Sequence, residues 1–443
     1  MTYEPTDLIE VRINDGTVDR TVGAVAADPG TGFYAFEYDP GWLRTGIELS
    51  PLHLPRRRGT FVFPELSRAT YYGLPAMLAD ALPDRFGNAL VDAWMADNGV
   101  APGAITPLDR LAYAADRAMG ALTFRPPTGP SDSGLSAVAL ADLVSAARAQ
   151  IAGTLDAAGA KEALRSLIQV GTSAGGARAK AVIAFNPHTF QVRSGQFGTP
   201  DGFEQWLVKL DGVIDPSREN PDAGSSATFT TSAPFGRIEY GYHRMALAAG
   251  LTMSRCMLLP EGPRTHFLTR RFDREPDGTR IHMQSLCALA HLDFNLPRVH
   301  SYGSYLQTVA MLGMGADDLA QAFRRVAFNV FALNRDDHTK NLAFLCDQNG
   351  DWRLAPAFDV TYAYNPDGRW TSAHQMSVNG KFHDITLDDL RTLADRHNVG
   401  GIARILGDVA NAVAQWPTFA GEAGLDGSVV DDIDANLAAH APR

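Results

Sequence analysis

The sequence predicts an α+β protein built from three successive parts, and three observations carry that reading. Short aromatic-rich runs alternate with turn residues near the start, a strand-rich stretch spans about 171–274, and apolar residues at helical spacing dominate beyond about 275. A chain of 443 residues is also too long for one simple core. The parts are placed at 1–128, 129–274 and 275–443.

In the first part, Val11-Arg12-Ile13 before Asp15-Gly16, and the run from Gly32 to Tyr38, read as short strands. Leu74, Met77, Leu78, Ala81 and Leu82 fall at helical spacing, and Pro83-Asp84 opens a second helix running to about Ala96. Pro126 to Gly134 is the clearest linker, followed by a helix from Leu135 to about Gln150. In the second part, Ala181–Phe185 and Trp206–Leu210 read as strands. Pro216–Ala233 is Ser/Thr/Gly-rich without periodicity and reads as a mobile loop. Ile238–Ala249 reads as a helix stopped by Gly250, since glycine readily takes the left-handed conformation that ends helices. In the third part, Leu319, Ala322, Phe323, Val326, Ala327, Val330 and Phe331 form one apolar stripe and mark a helix over 318–333.

Composition narrows the function classes. The balance of 39 basic against 50 acidic residues, net −11, argues against direct nucleic-acid binding by the chain alone. Apolar runs are too short to span a bilayer, and the first residues lack the basic and apolar regions of a secretory signal. Cys256, Cys287 and Cys346 lie too far apart for a CxxC metal pair and read as reduced thiols. The expectation is a cytoplasmic protein with no membrane contact.

The chemistry concentrates where the third-part helix ends, at Asn334-Arg-Asp-Asp-His-Thr-Lys-Asn341. Asn349-Gly350 then separates two apolar runs and signals a hairpin, because both residues tolerate positive φ. If these two form the turn, Gln348 faces Asp351, and Asn341 lies opposite Phe358, beside Asp359. Carboxylates and a carboxamide would then meet at one mouth, which suits Mg²⁺ and phosphoryl transfer. Asp336 precedes Asn341 by five positions, the separation of base and metal-binding Asn in protein-kinase catalytic loops. A plainer reading stands beside this one: helix-end carboxylates and a turn-stabilising Asn. Asp337 is expected to face solvent.

Four further stretches extend the pattern. Val170 to Lys180 is glycine-rich around Ser173, with Gly171, Gly175 and Gly176. Lys209 interrupts the apolar run Trp206–Leu210, Glu239 lies one helix later, and Arg271-Phe272-Asp273-Arg274 closes the second part. On residue type alone each has two readings. The glycines cradle phosphate or merely join strands, and the Ser173 hydroxyl meets a γ-phosphate or caps local backbone. Lys209 binds phosphates or faces water from an edge strand, and Glu239 orients it or is solvated. His338 contacts phosphoryl or Asp336, or is a structural histidine, and Lys340 reads equally as solvated or catalytic.

Together these stretches resemble the HipA family of serine/threonine kinases along nearly the whole chain, about residues 10–420. Leu78–Asp84 and Gly120–Pro126 are similar to its accessory N-terminal domain, and the D-x-H-x-x-N pattern is shared with phosphoinositide-3-kinase-like enzymes. The resemblance implies a kinase-like two-lobed fold with an accessory N-terminal α/β subdomain and a mainly helical C-terminal lobe. It implies ATP and Mg²⁺, with Asp336 and His338 catalytic and Asn341 and Asp359 on the metal. Nucleotide contacts would come from Ser173, Gly175, Gly176, Lys209, Glu239, Arg271 and Phe272, with autophosphorylation at Ser173. Implied partners are a HipB-like DNA-binding antitoxin and a protein substrate such as an aminoacyl-tRNA synthetase. Two departures stand out: Arg270 replaces the family's hinge glutamate, and Arg178-Ala179 stands in the phosphate loop. The hydroxyls of Thr228–Ser232 offer further autophosphorylation candidates. A small-molecule kinase and a non-enzymatic repressor-binding module are the competing readings.

Overall fold

Strand-forming runs in the first part pair into an antiparallel sheet, β4-β3-β2-β1-β5, made of Leu8–Asn14 (β1), Asp19–Ala27 (β2), Tyr34–Tyr38 (β3), Thr60–Phe61 (β4) and Leu122–Arg125 (β5). This computed structural model describes residues 4–130, 140–151, 178–196, 198–214 and 234–443. Alternation along β1 buries Ile9 and Val11 against Leu78, Leu108 and Leu111. The helix expected over 74–82 is a single turn, Ala76–Ala79. It stops because Pro83 disfavours helical backbone at Leu82 and because Ser285 recruits Asp80 through its N–H (2.7 Å) and hydroxyl (2.8 Å). The next helix, Arg85–Asp97 (α1), starts at Asp84, whose carboxylate accepts from Gly87 N at 2.7 Å. Pro107–Ala114 (α2) opens with a Thr106/Asp109 capping box.

A second sheet, β7-β6-β8-β10-β9, holds Arg178–Phe185 (β6), Val192–Ser194 (β7), Glu204–Ile214 (β8), Cys256–Glu261 (β9) and Arg264–Arg270 (β10). One face carries Ile183, Trp206 and Val208 into a core with Leu90 and with Leu143, Val144 and Ala147 of Leu140–Ile151 (α3). The other face therefore presents Lys180 and Lys209, which sit opposite each other in the β6–β8 register. Phe235–Ala248 (α4) follows and closes at Gly250 (φ +79°).

The third part packs Tyr302–Met311 (α5) and Ala316–Phe331 (α6) with four C-terminal helices around Tyr242, Tyr302, Phe323, Phe328 and Trp416. The apolar stripe of α6 is buried from Ala322 to Phe331, as its spacing requires. A small sheet of His282–Ser285 (β11), Ala343–Cys346 (β12) and Trp352–Leu354 (β13) carries the predicted hairpin. Its register is shifted by one from the expected two-residue turn: Cys346 pairs with Trp352 and Phe344 with Leu354. The Asp347 carboxylate accepts from Asn349 N (2.8 Å) and Asp351 N (3.0 Å), which holds a three-residue loop open.

β11 buries His282 completely against the first part, its Nε2 hydrogen-bonding Leu49 O at 3.0 Å. Burial pushes its pKa down to about 4, the bonded carbonyl opposing. A free imidazole takes up its proton near pH 6.5, so the unfolded chain binds more protons between those values. Stability is therefore full above about pH 6.5 and falls as pH drops toward 4, by up to about 3 kcal/mol from this group. His282→Gln should flatten the difference between denaturation midpoints measured at pH 7 and pH 5.

Candidate functional site

The paired lysines of β6 and β8 define the site. Lys209 Nζ lies 2.5 Å from Glu239 Oε1 on α4, and it also donates to Asp359 Oδ1. Lys180 Nζ bonds the other oxygen, Oδ2, at 3.0 Å. All three partners of the Asp359 cluster are nearly inaccessible, Glu239 at 2%, Lys180 at 3% and Lys209 at 5% exposure. Burial pushes the Asp359 carboxyl up, but the ammonium groups of Lys180 and Lys209 outweigh it and hold it well below the usual carboxylate range. Asp359 itself takes φ +51°, a left-handed conformation that Asp tolerates better than most residues. Immediately before it, Phe358 packs its ring 5.5 Å from that of Phe272.

The Asp336–Asn341 loop is built by the end of α6. Leu333 turns left-handed (φ +51°), and Asn334 donates back to Asn329 O and Oδ1. Asn341 Nδ2 donates to Asp336 O at 2.8 Å, closing the loop on itself and leaving Oδ1 as the group's acceptor. The Asp336 carboxylate is 47% exposed, with His338 Nε2 3.7 Å away. His338 packs on Phe294 at 5.5 Å, and its Nδ1 is buried without a hydrogen-bond partner among the described residues.

Asp337 does not face solvent. It is 2% exposed and accepts from Tyr302 Oη (2.6 Å), His374 Nδ1 (2.8 Å) and Gln375 N (2.7 Å). Of the two consecutive Asp residues one is buried and anchors the loop, while the other stays accessible. Nothing in the residue types distinguishes them. Asp337→Ala should cost about 3 kcal/mol of stability, because it orphans three buried donors; a denaturation midpoint within error of the parent would contradict this anchoring.

The segment after β10 is also anchored. Arg271 holds Asp273 through Nε (2.9 Å) and Nη2 (2.6 Å), Arg274 adds a bond of 2.8 Å, and Gly120 N donates at 2.7 Å. Burial pushes the Asp273 carboxyl up, and Arg271 and Arg274 override it and hold the group far below the usual range. Arg271 thus commits its guanidinium to Asp273, while Phe272 faces Phe358.

The structure brings together Lys209, Glu239 and Asp359 in one cluster, and Asp336, His338 and Asn341 in one loop. Ser173, Gly175, Gly176 and Thr228–Ser232 lie outside the described residues. Lys180 is the residue whose role the sequence reading missed. Its signal was available: a lysine between Ala179 and Ala181 at the start of a strand shares the costly placement that drew attention to Lys209. For a divalent cation, Asp359 and Asn341 supply the hard oxygen donors that Mg²⁺ prefers, and Asp359 already draws two cationic groups to its oxygens. Among the described residues no group of three or more His, Cys, Asp or Glu side chains that could hold a metal occurs, so the donors on offer to such an ion are these two side chains.

Comparison with known proteins gives the same picture. A family model of the HipA-like C-terminal domain matches residues 172–416, and one of the HipA N-terminal domain matches residues 11–125. A Sinorhizobium fredii protein named "Putative kinase Y4mE" is 25% identical over 232 residues, 46% of this chain and 53% of that protein. The chain thus aligns with about half the length of that curated relative. HipA from the Shewanella oneidensis MR-1 toxin–antitoxin complex of HipA, HipB and operator DNA superposes with a TM-score of 0.64 at 15% identity, over 98% of this chain and 96% of that one. This is a likeness of fold: two-lobed, kinase-like α+β. The Helicobacter pylori proinflammatory kinase CtkA aligns over 60% of this chain and 93% of its own, with 11% identity and a TM-score of 0.33, too slight to bear on the fold.

Proposed function

The chain belongs to the HipA family, and from that premise we propose that it is an ATP- and Mg²⁺-dependent serine/threonine protein kinase acting as a HipA-like toxin. The observation that carries the proposal is the buried Lys209–Glu239–Asp359 cluster with Lys180 beside it. Phosphoryl transfer needs fixed cations for the phosphates and a carboxylate for the metal, both on rigid elements. Two strands, a helix and the post-hairpin segment converge here to supply them.

In this reading Lys180 and Lys209 grip the nucleotide phosphates, Glu239 keeps Lys209 in place, and Phe272 and Phe358 offer apolar rings to the base. Asn341 and Asp359 would hold Mg²⁺, which when bound neutralises charge on the transferred group. Asp336, whose carboxylate is accessible, orients the acceptor hydroxyl and receives its proton as the hydroxyl oxygen bonds to the γ-phosphorus and the bond to the β–γ bridging oxygen breaks, releasing ADP. His338 steadies Asp336 or the transferred group. Ser173 is the autophosphorylation site that the family resemblance implies, and adding about −1.5 to −2 charges there would repel the nucleotide. A HipB-like antitoxin as partner is favoured by the Shewanella relative, which is described in complex with HipB and DNA. A net charge of −11 leaves DNA contact to that partner. The substrate is a protein hydroxyl, for which an aminoacyl-tRNA synthetase is the family-based candidate.

The test is incubation of the purified chain with Mg²⁺ and γ-labelled ATP, followed by mapping of the label, with Asp336→Asn as control. Label on Ser173 in the parent and none in the control is expected. Absence of ATP binding would overturn the reading.

A further inference from the structure

Apart from the lysine–carboxylate cluster, a cavity of about 240 Å³ lies where α1 and α2 of the first part meet the β6–β8 sheet and the segment after β10. Four arginines line it: Arg117, Arg271, Arg274 and Arg280. Arg271 and Arg274 are neutralised in part by Asp273. Asp116 also lines the cavity; it pairs with Arg125 at 2.6 Å and its charge is felt by Arg117 and Arg280 as well. Among the described residues Arg117 bonds only neutral acceptors, Gln196 Oε1 (3.3 Å) and the Pro130 (3.4 Å), Ala114 (3.5 Å) and Tyr113 carbonyls. Arg280 makes no side-chain hydrogen bond or ion pair among the described residues, and its Nη1 is buried without a partner. Counting Arg117, Arg125, Arg271, Arg274 and Arg280 against Asp116 and Asp273 leaves three positive charges in excess, in a chain that is otherwise net negative.

A buried guanidinium that feels carboxylates but bonds none of them is costly and leaves room for an anion. Its position is not accidental slack in a surface loop. Arg280 is held by a backbone bridge to Arg274 and by its own N–H bonding Asp15 O at 2.9 Å. Gln205 also lines the cavity. Its Nε2 is bound to Thr199 at 2.7 Å, while its Oε1 is buried without a donor. The empty requirements are thus an anion for the arginines and a hydroxyl for the amide oxygen. Burial lowers the pKa of both Arg117 and Arg280, the same cost read from the titration side.

The cavity is separate from the cleft proposed for the nucleotide. Lys209, Phe272, Phe358 and Asp359 are not among its lining residues. Arg271 and Phe272, adjacent in the chain, turn to different neighbours: Arg271 to Asp273, and Phe272 to Phe358. We propose that this cavity is a second ligand site, taking a small phosphate monoester that carries a hydroxyl. The phosphate lies between Arg117 and Arg280, and the hydroxyl donates to Gln205 Oε1. Ligation there joins the first part of the chain to the lobe bearing Lys209. The proposal does not depend on kinase activity.

Calorimetric titration of the full chain with glycerol 3-phosphate and with inorganic phosphate, at constant ionic strength, tests it. Glycerol 3-phosphate should bind more tightly than phosphate. Arg280→Gln should weaken both by about tenfold or more, and Arg280→Lys, which keeps the charge, should restore part of the loss. Saturating adenosine, which carries no phosphate, should leave binding unchanged. Equal affinity in parent and Arg280→Gln, with both folded by thermal melt, would overturn the proposal. Displacement by adenosine would place the anion in the nucleotide cleft and overturn it equally.

Discussion

Asp336→Asn is expected to fold like the parent, bind ATP with similar affinity, and lose phosphoryl transfer by about 10²–10⁴-fold. The carboxylate is half exposed, and His338 Nε2 lies 3.7 Å away. Exposed groups of this kind cost little stability when replaced. The loop's shape rests on other atoms: Asn341 Nδ2 on the Asp336 main-chain oxygen, and Asp337 on Tyr302, His374 and Gln375. None of these is altered by the substitution, so binding and chemistry should separate cleanly. Nucleotide affinity by calorimetry and single-turnover transfer would show this. Retained transfer in the variant would remove Asp336 from the acceptor-orienting role.

Asp359→Asn is expected to lose stability and Mg²⁺-dependent nucleotide binding together. Two buried ammonium groups share this carboxylate, and Lys180 has it as its ion-pair partner. Leaving buried charge uncompensated typically costs about 3–5 kcal/mol, which a denaturant midpoint would register. Lys209 keeps Glu239, so the loss should fall mainly on Lys180. A variant with unchanged midpoint would refute the structural role, and one that still bound nucleotide more tightly with Mg²⁺ than without would refute the metal role.

Periodicity made α1, α4 and α6 legible in the sequence, because an apolar stripe and a capping residue are local signals. Lys209, Asp336, Asn341 and Asp359 stood out because a charge within an apolar strand or a carboxylate-rich turn is locally anomalous. What escaped notice was set by contacts distant in sequence. Lys180 acquires its partner only when Asp359, 179 residues away, reaches the sheet. Asp337 is buried because Tyr302 and His374 come from other elements. The hairpin slipped by one because the Asp347 side chain, rather than backbone preference at Asn349-Gly350, decided the loop length. The helix over 74–82 was cut short by Ser285, again from far along the chain.

The Asp273 cluster gives the accessory first part a mechanical meaning. Asp273 accepts from Gly120 N, and Arg274 donates to Gly120 O, so one residue just ahead of β5 is gripped from both sides by the segment that connects the lobes. Swinging that segment away from the first sheet would break the bond from Gly120 N to the buried Asp273 carboxylate and the bond from Arg274 to Gly120 O, while Arg271 and Arg274 would travel with Asp273. The first sheet therefore behaves as a splint: it travels with the interlobe connector as one body. Ser285 bonding Asp80 and His282 bonding Leu49 tie the same first part to the third, so it braces the connector and the helical part together.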